Sequence, residues 1–234
     1  MGEVEQMSIQ IQSTTRKLEN KSLGSKAADI IREKIILGEY TQGLRLTEGE
    51  FAIGLGVSHS CVREAFGILE AEGLIKSIRN KCTEVVRFTG QDIEEIYSLR
   101  LAIEKLCAEV CIKKSCIKLE KLKEQSKKIS LTAVDTLDDL MKSVEADITF
   151  HETIIYSSGN MRAIGVWHAL RNQIKTLLYA INKKAYDMLI AVNTKDHDEI
   201  IKAFKQSDLK RIISLLTPHI EGGLNLCLKY NDND

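Results

Sequence analysis

The sequence predicts a mainly α protein: an N-terminal winged helix-turn-helix followed by an all-α antiparallel helical bundle. Three observations carry that reading. Between Leu44 and Leu74 the chain spells two short helices around a tight turn, the second with a polar face of Ser, His and Arg. Pro218 is the only proline in 234 residues, and long stretches also lack glycine, so over those stretches neither of the two residues that most weaken a helix is present. From Gly90 onward, apolar residues recur at helical spacing almost to the C-terminus.

The elements follow in order. From Lys26 to Leu37 the apolar positions Ala27, Ile30, Ile31, Ile35 and Ile36 form one helical stripe, and Gly38 follows as a C-terminal cap. Thr47 with Glu50 three residues later is a capping-box pattern, so a second helix starts at about Glu48 and turns Phe51, Ala52 and Leu55 inward. Gly56 supplies the turn. Ser58 caps a third helix whose inner face is Val62, Ala65, Phe66 and Leu69, and Gly73 ends it. Ile75 and Ile78, then Val85, Val86 and Phe88, flank a polar Arg79–Thr83 tip, which predicts a small β-hairpin over 74–88. Beyond Gly90 the periodicity predicts helical segments at about 91–113, 117–129, 134–156, 160–182, 185–205 and 208–229. The chain thus divides into a flexible arm at 1–24, a winged helix-turn-helix at 25–89 and an all-helical domain at 90–234.

Composition bounds the class. With 44% hydrophobic and 28% charged residues the chain has enough apolar material for a core, which argues against wholesale disorder. No apolar run reaches the length that spans a bilayer. Six cysteines stand at 61, 82, 107, 111, 116 and 227 without a CxxC pair, which suits reduced thiols in a cytoplasm. Lys+Arg and Asp+Glu balance at 33 each, so bulk charge gives no sign of nucleic-acid binding. Locally, however, Lys76, Arg79, Lys81 and Arg87 face only Glu84, and a short positive strip of this kind can contact phosphates.

On the third helix Ser58, His59, Ser60, Arg63 and Glu64 fall off the apolar stripe. The N-terminal end of a recognition helix is where side chains reach base edges, which nominates His59, Ser60 and Arg63 as DNA contacts. Arg79 and Lys81 at the wing tip are candidates for the backbone or minor groove. The same pattern also fits a small helical domain with a solvated polar face.

A second constellation lies downstream. Asp147 and His151 are four residues apart and share one helix face with Leu140, Val144, Ile148 and Ile155. His197 continues the stripe of Ile200, Ile201 and Phe204, and His219 that of Ile212, Leu215 and Leu216. Each His alone could be a core histidine bonded to a carbonyl. A carboxylate aimed at the same core is costly unless paired or bound to a cation. Three imidazoles and one carboxylate suit a divalent first-row ion, Zn²⁺ foremost, with Ni²⁺ or Mn²⁺ as alternatives. His168 lacks such partners and reads as a structural or surface residue. Pro218 in mid-helix removes a backbone bond and kinks the chain, and the sequence leaves open whether this displaces His219 from the metal.

These residues resemble a known family. Residues 36–75, ILGEYTQGLRLTEGEFAIGLGVSHSCVREAFGILEAEGLI, are similar to the N-terminal module of GntR-family bacterial repressors, with L-T-E followed by F-A, then G-V-S, V-R-E-A and L-E-x-E-G-L. The stretch from Asp92 to Glu104 resembles the first effector-domain helix of the FadR-type subfamily. D-I-T-F-H, Gly159–Asn160 and K-D-H-D-E-I-I-K-A-F resemble its metal-binding C-terminal domain. The resemblance implies metal ligation by Asp147, His151, His197 and His219. It further implies an anionic effector, a small organic acid or sugar acid, held by Arg100 and Asn160, and a homodimer on a palindromic double-stranded operator. From the residues alone, Arg100 also fits a salt bridge to Glu104. Where the family often has Arg, Pro and a wing-tip Gly, this chain has His59, Cys61 and Lys81–Cys82; the loss of a constant charge at 59 bears on which operator is read.

The expected function is that of a ligand-responsive transcriptional regulator of the repressor type, not an enzyme, because no general base or nucleophile accompanies the ligands. The alternatives are a metal-dependent hydrolase or lyase, and a sensor of the metal itself.

Overall fold

The computed structural model describes residues 21–78, 82–131, 136–181 and 195–231. Its first part comprises α1 (Leu23–Ile36), β1 (Arg45–Leu46), α2 (Glu48–Leu55), α3 (His59–Ala71), β2 (Ile75–Ile78) and β3 (Cys82–Val85). Local chemistry sets most of these boundaries. Ser22 accepts a bond from the Ser25 N–H at 3.0 Å, so α1 starts three residues before the expected Lys26. The arm expected over 1–24 lies outside the described residues up to residue 20, and its last two, Leu23 and Gly24, belong to α1. Thr47 caps α2 and Ser58 caps α3, each accepting from the amide three residues on. Between these helices Gly56 adopts φ 64°, a left-handed turn that costs glycine little.

β3 pairs antiparallel with β2 on one side and with β1 on the other. Ser77 stands opposite Thr83, so the ladder runs further toward the tip than the expected Arg79–Thr83 loop. The two-residue strand β1 was not anticipated; it holds the turn before α2 to the wing. Ile31, Leu46, Val62, Leu69, Ile75 and Val85 meet in the first hydrophobic core. The hairpin tip, with Arg79 and Lys81, lies outside the described residues.

The second part is helical: α4 (Gly90–Lys114), α5 (Leu119–Leu131), α6 (Leu137–Ser158), α7 (Met161–Ala180), α8 described over 195–205, and α9 (Leu209–Lys229). Capping boxes open α4 at Thr89/Asp92 and α6 at Thr136/Asp139. Gly159 closes α6 at φ 65°. α6 packs between α4, α5 and α7, and α9 packs on α4, which gathers Ile93, Ile148, Phe150, Trp167 and Leu216 into a second core. Phe88 belongs to this core and Val85 to the first, so the chain passes between them within three residues. Of the segment expected at 185–205, only 195 onward is described. Among the described residues no helix is long and apolar enough to cross a membrane.

Glu72, held by a neighbouring helix of the winged part, is tied to the bundle through its side chain and its carbonyl. Arg32 on α1 donates through Nε and Nη2 to Glu72 Oε2 and Oε1 at 2.6 and 2.7 Å. From α7, Asn172 Nδ2 donates to Glu72 Oε2 at 3.0 Å, and Gln173 Nε2 to the Glu72 carbonyl at 3.1 Å. A cleft of about 470 Å³ opens along this joint, bordered by Arg32, Glu72, Arg171 and Asn172.

Candidate metal centre and nucleic-acid interface

Helical periodicity turns Asp147 and His151 of α6 toward the same interior point as His197 of α8 and His219 of α9. One ligand atom from each lies within 4.8 Å of every other. All four are buried, His151 and His197 completely. His219 Nε2 is 3.1 Å from His151 Nε2 and 3.2 Å from His197 Nε2. Asp147 Oδ1 is 3.4 Å from His197 Nε2 and 3.9 Å from His151 Nε2. Pro218 does not divert His219: α9 runs through it, and the imidazole meets the other two.

The donor set fits a divalent cation. With metal–nitrogen bonds of about 2.0–2.1 Å, neighbouring ligand nitrogens stand about 2.9–3.4 Å apart in octahedral or tetrahedral coordination, which brackets both observed separations. Without a cation the arrangement is awkward. A proton on His219 Nε2 can serve one neighbouring nitrogen at a time, and the other close contact is then left without a hydrogen bond. The Nδ1 atoms of His197 and His219 are buried without a hydrogen-bond partner among the described residues, although Asp196 Oδ2 lies 3.5 Å from the latter.

A shell of supporting contacts orients the rings. Glu104 Oε2 accepts from His151 Nδ1–H at 2.6 Å, which leaves His151 Nε2 as a lone-pair donor toward the centre. The Phe150 ring stacks on His197 with centroids 3.9 Å apart. Burial alone would raise the Glu104 pKa, but His151 and Arg100 reverse this and hold it at about 2. Burial, with the Arg100 charge, lowers the His151 pKa against the pull of Glu104. Burial and the two neighbouring imidazoles hold His197 well below the usual histidine range. Two neutral rings beside an ionised carboxylate are ready to ligate without first losing protons.

Arg100, open on sequence grounds to two readings, forms the salt bridge: its Nε donates to Glu104 Oε1 at 2.9 Å, and the residue is 3% exposed. Sequence reasoning missed that the same Glu104 reaches His151 from a helix 47 residues away in the chain. Asn160, expected at an effector, caps α7, with Oδ1 accepting from Arg162 and Ala163 at 3.1 and 3.2 Å. His168 is exposed and bonds Tyr156 through Nε2 at 2.7 Å.

At the opposite end, His59, Ser60 and Arg63 stand exposed on the first turns of α3. Arg63 is two-thirds exposed and pairs loosely with Glu48 at 3.1 Å. Ser60 Oγ is 2.8 Å from Ser58 Oγ. Lys76 of the positive strip pairs with Glu84 across the hairpin at 3.2 Å, while Arg87 remains exposed.

Comparison with known proteins agrees with this two-part layout. Residues 23–85 match the family described as "Bacterial regulatory proteins, gntR family", and residues 95–222 match the FCD domain. The gluconate operon transcriptional repressor of Bacillus subtilis (strain 168) is 31% identical over 163 residues, covering 69% of this chain and 65% of the relative. That of Bacillus licheniformis is 29% identical over 199 residues, covering 82% and 79%. A crystal structure of a GntR transcriptional regulator from Rhodococcus sp. RHA1 shares the fold at a TM-score of 0.75 and 23% identity, over 89% of this chain and 99% of that one. The matched family and relatives are transcriptional regulators, not enzymes. With an exposed-faced helix-turn-helix at one end and a buried His/Asp cluster in a helical bundle at the other, the chain belongs to the GntR family of bacterial transcriptional regulators, in the branch that carries an FCD domain.

Proposed function

We propose that this regulator is a repressor whose helical domain holds a resident divalent metal at Asp147, His151, His197 and His219 and answers to a small carboxylate. The supporting observation is the convergence of three Nε2 atoms, two pairs of them at 3.1 and 3.2 Å, beside a buried aspartate. When bound, the ion supplies Lewis-acid positions that a carboxylate can share. Glu104 fixes the His151 tautomer, and Arg100 contributes a buried positive charge to the same region. The relatives are named as gluconate operon repressors, which favours a sugar acid or small organic acid as effector. Complete burial of His151 and His197 favours a permanent ion over one that comes and goes as a signal.

In this reading residues 25–89 form the DNA head and 90–234 the sensing and dimerising domain. A homodimer presents two α3 helices to a palindromic operator, with His59, Ser60 and Arg63 in the major groove and Arg79 and Lys81 on the wing. The effector changes DNA affinity only by its differential affinity for the two placements of the heads.

The test is elemental analysis of the purified protein, followed by thermal shift against small carboxylates with and without a chelator. A ligand that binds only the folded state raises the melting temperature by mass action. A carboxylate that stabilises the metal-loaded protein but not the chelated or Asp147→Ala protein supports the reading. Equal shifts in all three would overturn it.

A further inference from the structure

The C-terminus of α4 ends in a six-residue turn with a cysteine at each end. Ser115 adopts φ 49°. The Cys116 N–H donates to the Cys111 carbonyl at 3.2 Å, and the Ser115 N–H to the Ile112 carbonyl at 3.2 Å. This pair of bonds around one left-handed residue is the Schellman motif, in which the first and sixth side chains lie against each other. The contact is ordinarily apolar; here both partners are free thiols.

The spacing suits a covalent bond. A direct N–H···O=C bond between two residues holds their Cα atoms roughly 5–7 Å apart, and disulfides span about 4.4–6.8 Å. Exposure differs across the pair: Cys111 is fully buried, and Cys116 is half-buried at the rim. The Cys111 Sγ–H donates to the Ile154 carbonyl of α6 at 3.4 Å. Burial and the neighbouring Cys116 thiol lift the Cys111 thiol to about 12, so it waits as the protonated partner and the accessible Cys116 meets the oxidant.

We propose that Cys111 and Cys116 are a modification site that closes to a reversible disulfide when the protein meets a peroxide. The Cys116 sulfur attacks hydrogen peroxide; the O–O bond breaks, giving Cys116 sulfenic acid and one water. The Cys111 sulfur then attacks that sulfenic sulfur, the S–O bond breaks, and the hydroxide leaves with the Cys111 proton as a second water. Two thiols lose two electrons to one peroxide, and a dithiol reductant restores them. Closure removes the Cys111 proton from the Ile154 carbonyl, loosening one link between the helix that carries Glu104 and the one that carries Asp147 and His151. The inference stands apart from the metal reading, since neither thiol belongs to that cluster.

The full-length protein is treated with hydrogen peroxide, its remaining thiols are alkylated, and the product is digested with trypsin. Because Lys113 and Lys114 lie between the cysteines, the bond appears as two linked peptides that separate on reduction. Half-buried Cys61 and Cys82 report that the peroxide acted. Cys116→Ser is expected to lose the linked species and leave Cys111 as thiol. Cys116 oxidised or adducted without a link to Cys111, or a link from Cys111 to Cys107 instead, would overturn the proposal.

Discussion

Glu104 stands directly behind His151: one carboxylate oxygen takes the Nδ1–H at 2.6 Å while the other takes the Arg100 Nε–H at 2.9 Å. A single buried acid therefore aligns the His151 ring and neutralises a guanidinium. Outer partners of this kind are typically worth about 10–100-fold in metal affinity. Glu104→Gln is expected to weaken binding by that order in a chelator competition. It should also destabilise the fold, by roughly 3–5 kcal/mol where the Arg100 charge is left unpaired. Unchanged metal affinity would remove Glu104 from the centre.

Stability of the metal-free protein is expected to fall with acid in two windows. His151 and His197 have folded pKa values below the ordinary 6.5. Their contribution is complete above that value and declines as pH drops beneath it, because the unfolded chain takes up the protons first. Glu104, held at about 2 against an ordinary 4.5, adds a second loss between those values. Denaturant midpoints measured from about pH 8 downward should stay level and then slope below about 6.5. Metal release by acid should follow the same first window, since ligation needs unprotonated nitrogens.

At the DNA end, the Arg63–Glu48 pair is exposed, so losing it costs the fold little. Arg63→Ala should leave the melting temperature nearly unchanged. If Arg63 reads a base, the variant forfeits about 1–3 kcal/mol of discrimination at one operator position. Uniform weakening on all sequences in a binding titration marks a phosphate contact, and intact affinity removes Arg63 from the interface.

Gly73 adopts φ 67°, and a Cβ there would come within 2.5 Å of Gln173 Nε2. Gly73→Ala should cost about 1–2 kcal/mol through the left-handed backbone and push Gln173 off the Glu72 carbonyl. Adding Gln173→Ala relieves the clash but recovers none of the backbone strain. Chemical denaturation of the two variants separates the terms; wild-type stability in Gly73→Ala would show that no strain exists.

Elements with local signals are legible in the sequence. Thr47, Gly56 and Ser58 bound their helices through contacts within three or four residues, which sequence spacing carries directly. Ser22 carries the same kind of signal and starts α1 at Leu23, ahead of the apolar stripe that begins at Ala27. β1 was invisible because two residues have no periodicity; Arg45 and Leu46 become a strand only by pairing with Glu84 and Thr83. The inward direction of Asp147, His151, His197 and His219 followed from their stripes. Their meeting point depends on how α6, α8 and α9 cross, which no single stripe encodes. Glu104 was legible as a partner for Arg100 four residues away but not for His151 across the bundle. Asn160, noted for resemblance, also has a local use, and the Asn before a helix signals that cap.

The joint at Glu72 has a consequence for movement. Its ties across to Asn172 and Gln173 are both polar, beside an open cleft. Bonds to water can replace such ties at a net cost of about 1 kcal/mol apiece, more where charge is involved, whereas parting an oily seam gains nothing in return. Solvent entering there would take over the bonds of Asn172 and Gln173 to Glu72 at little cost.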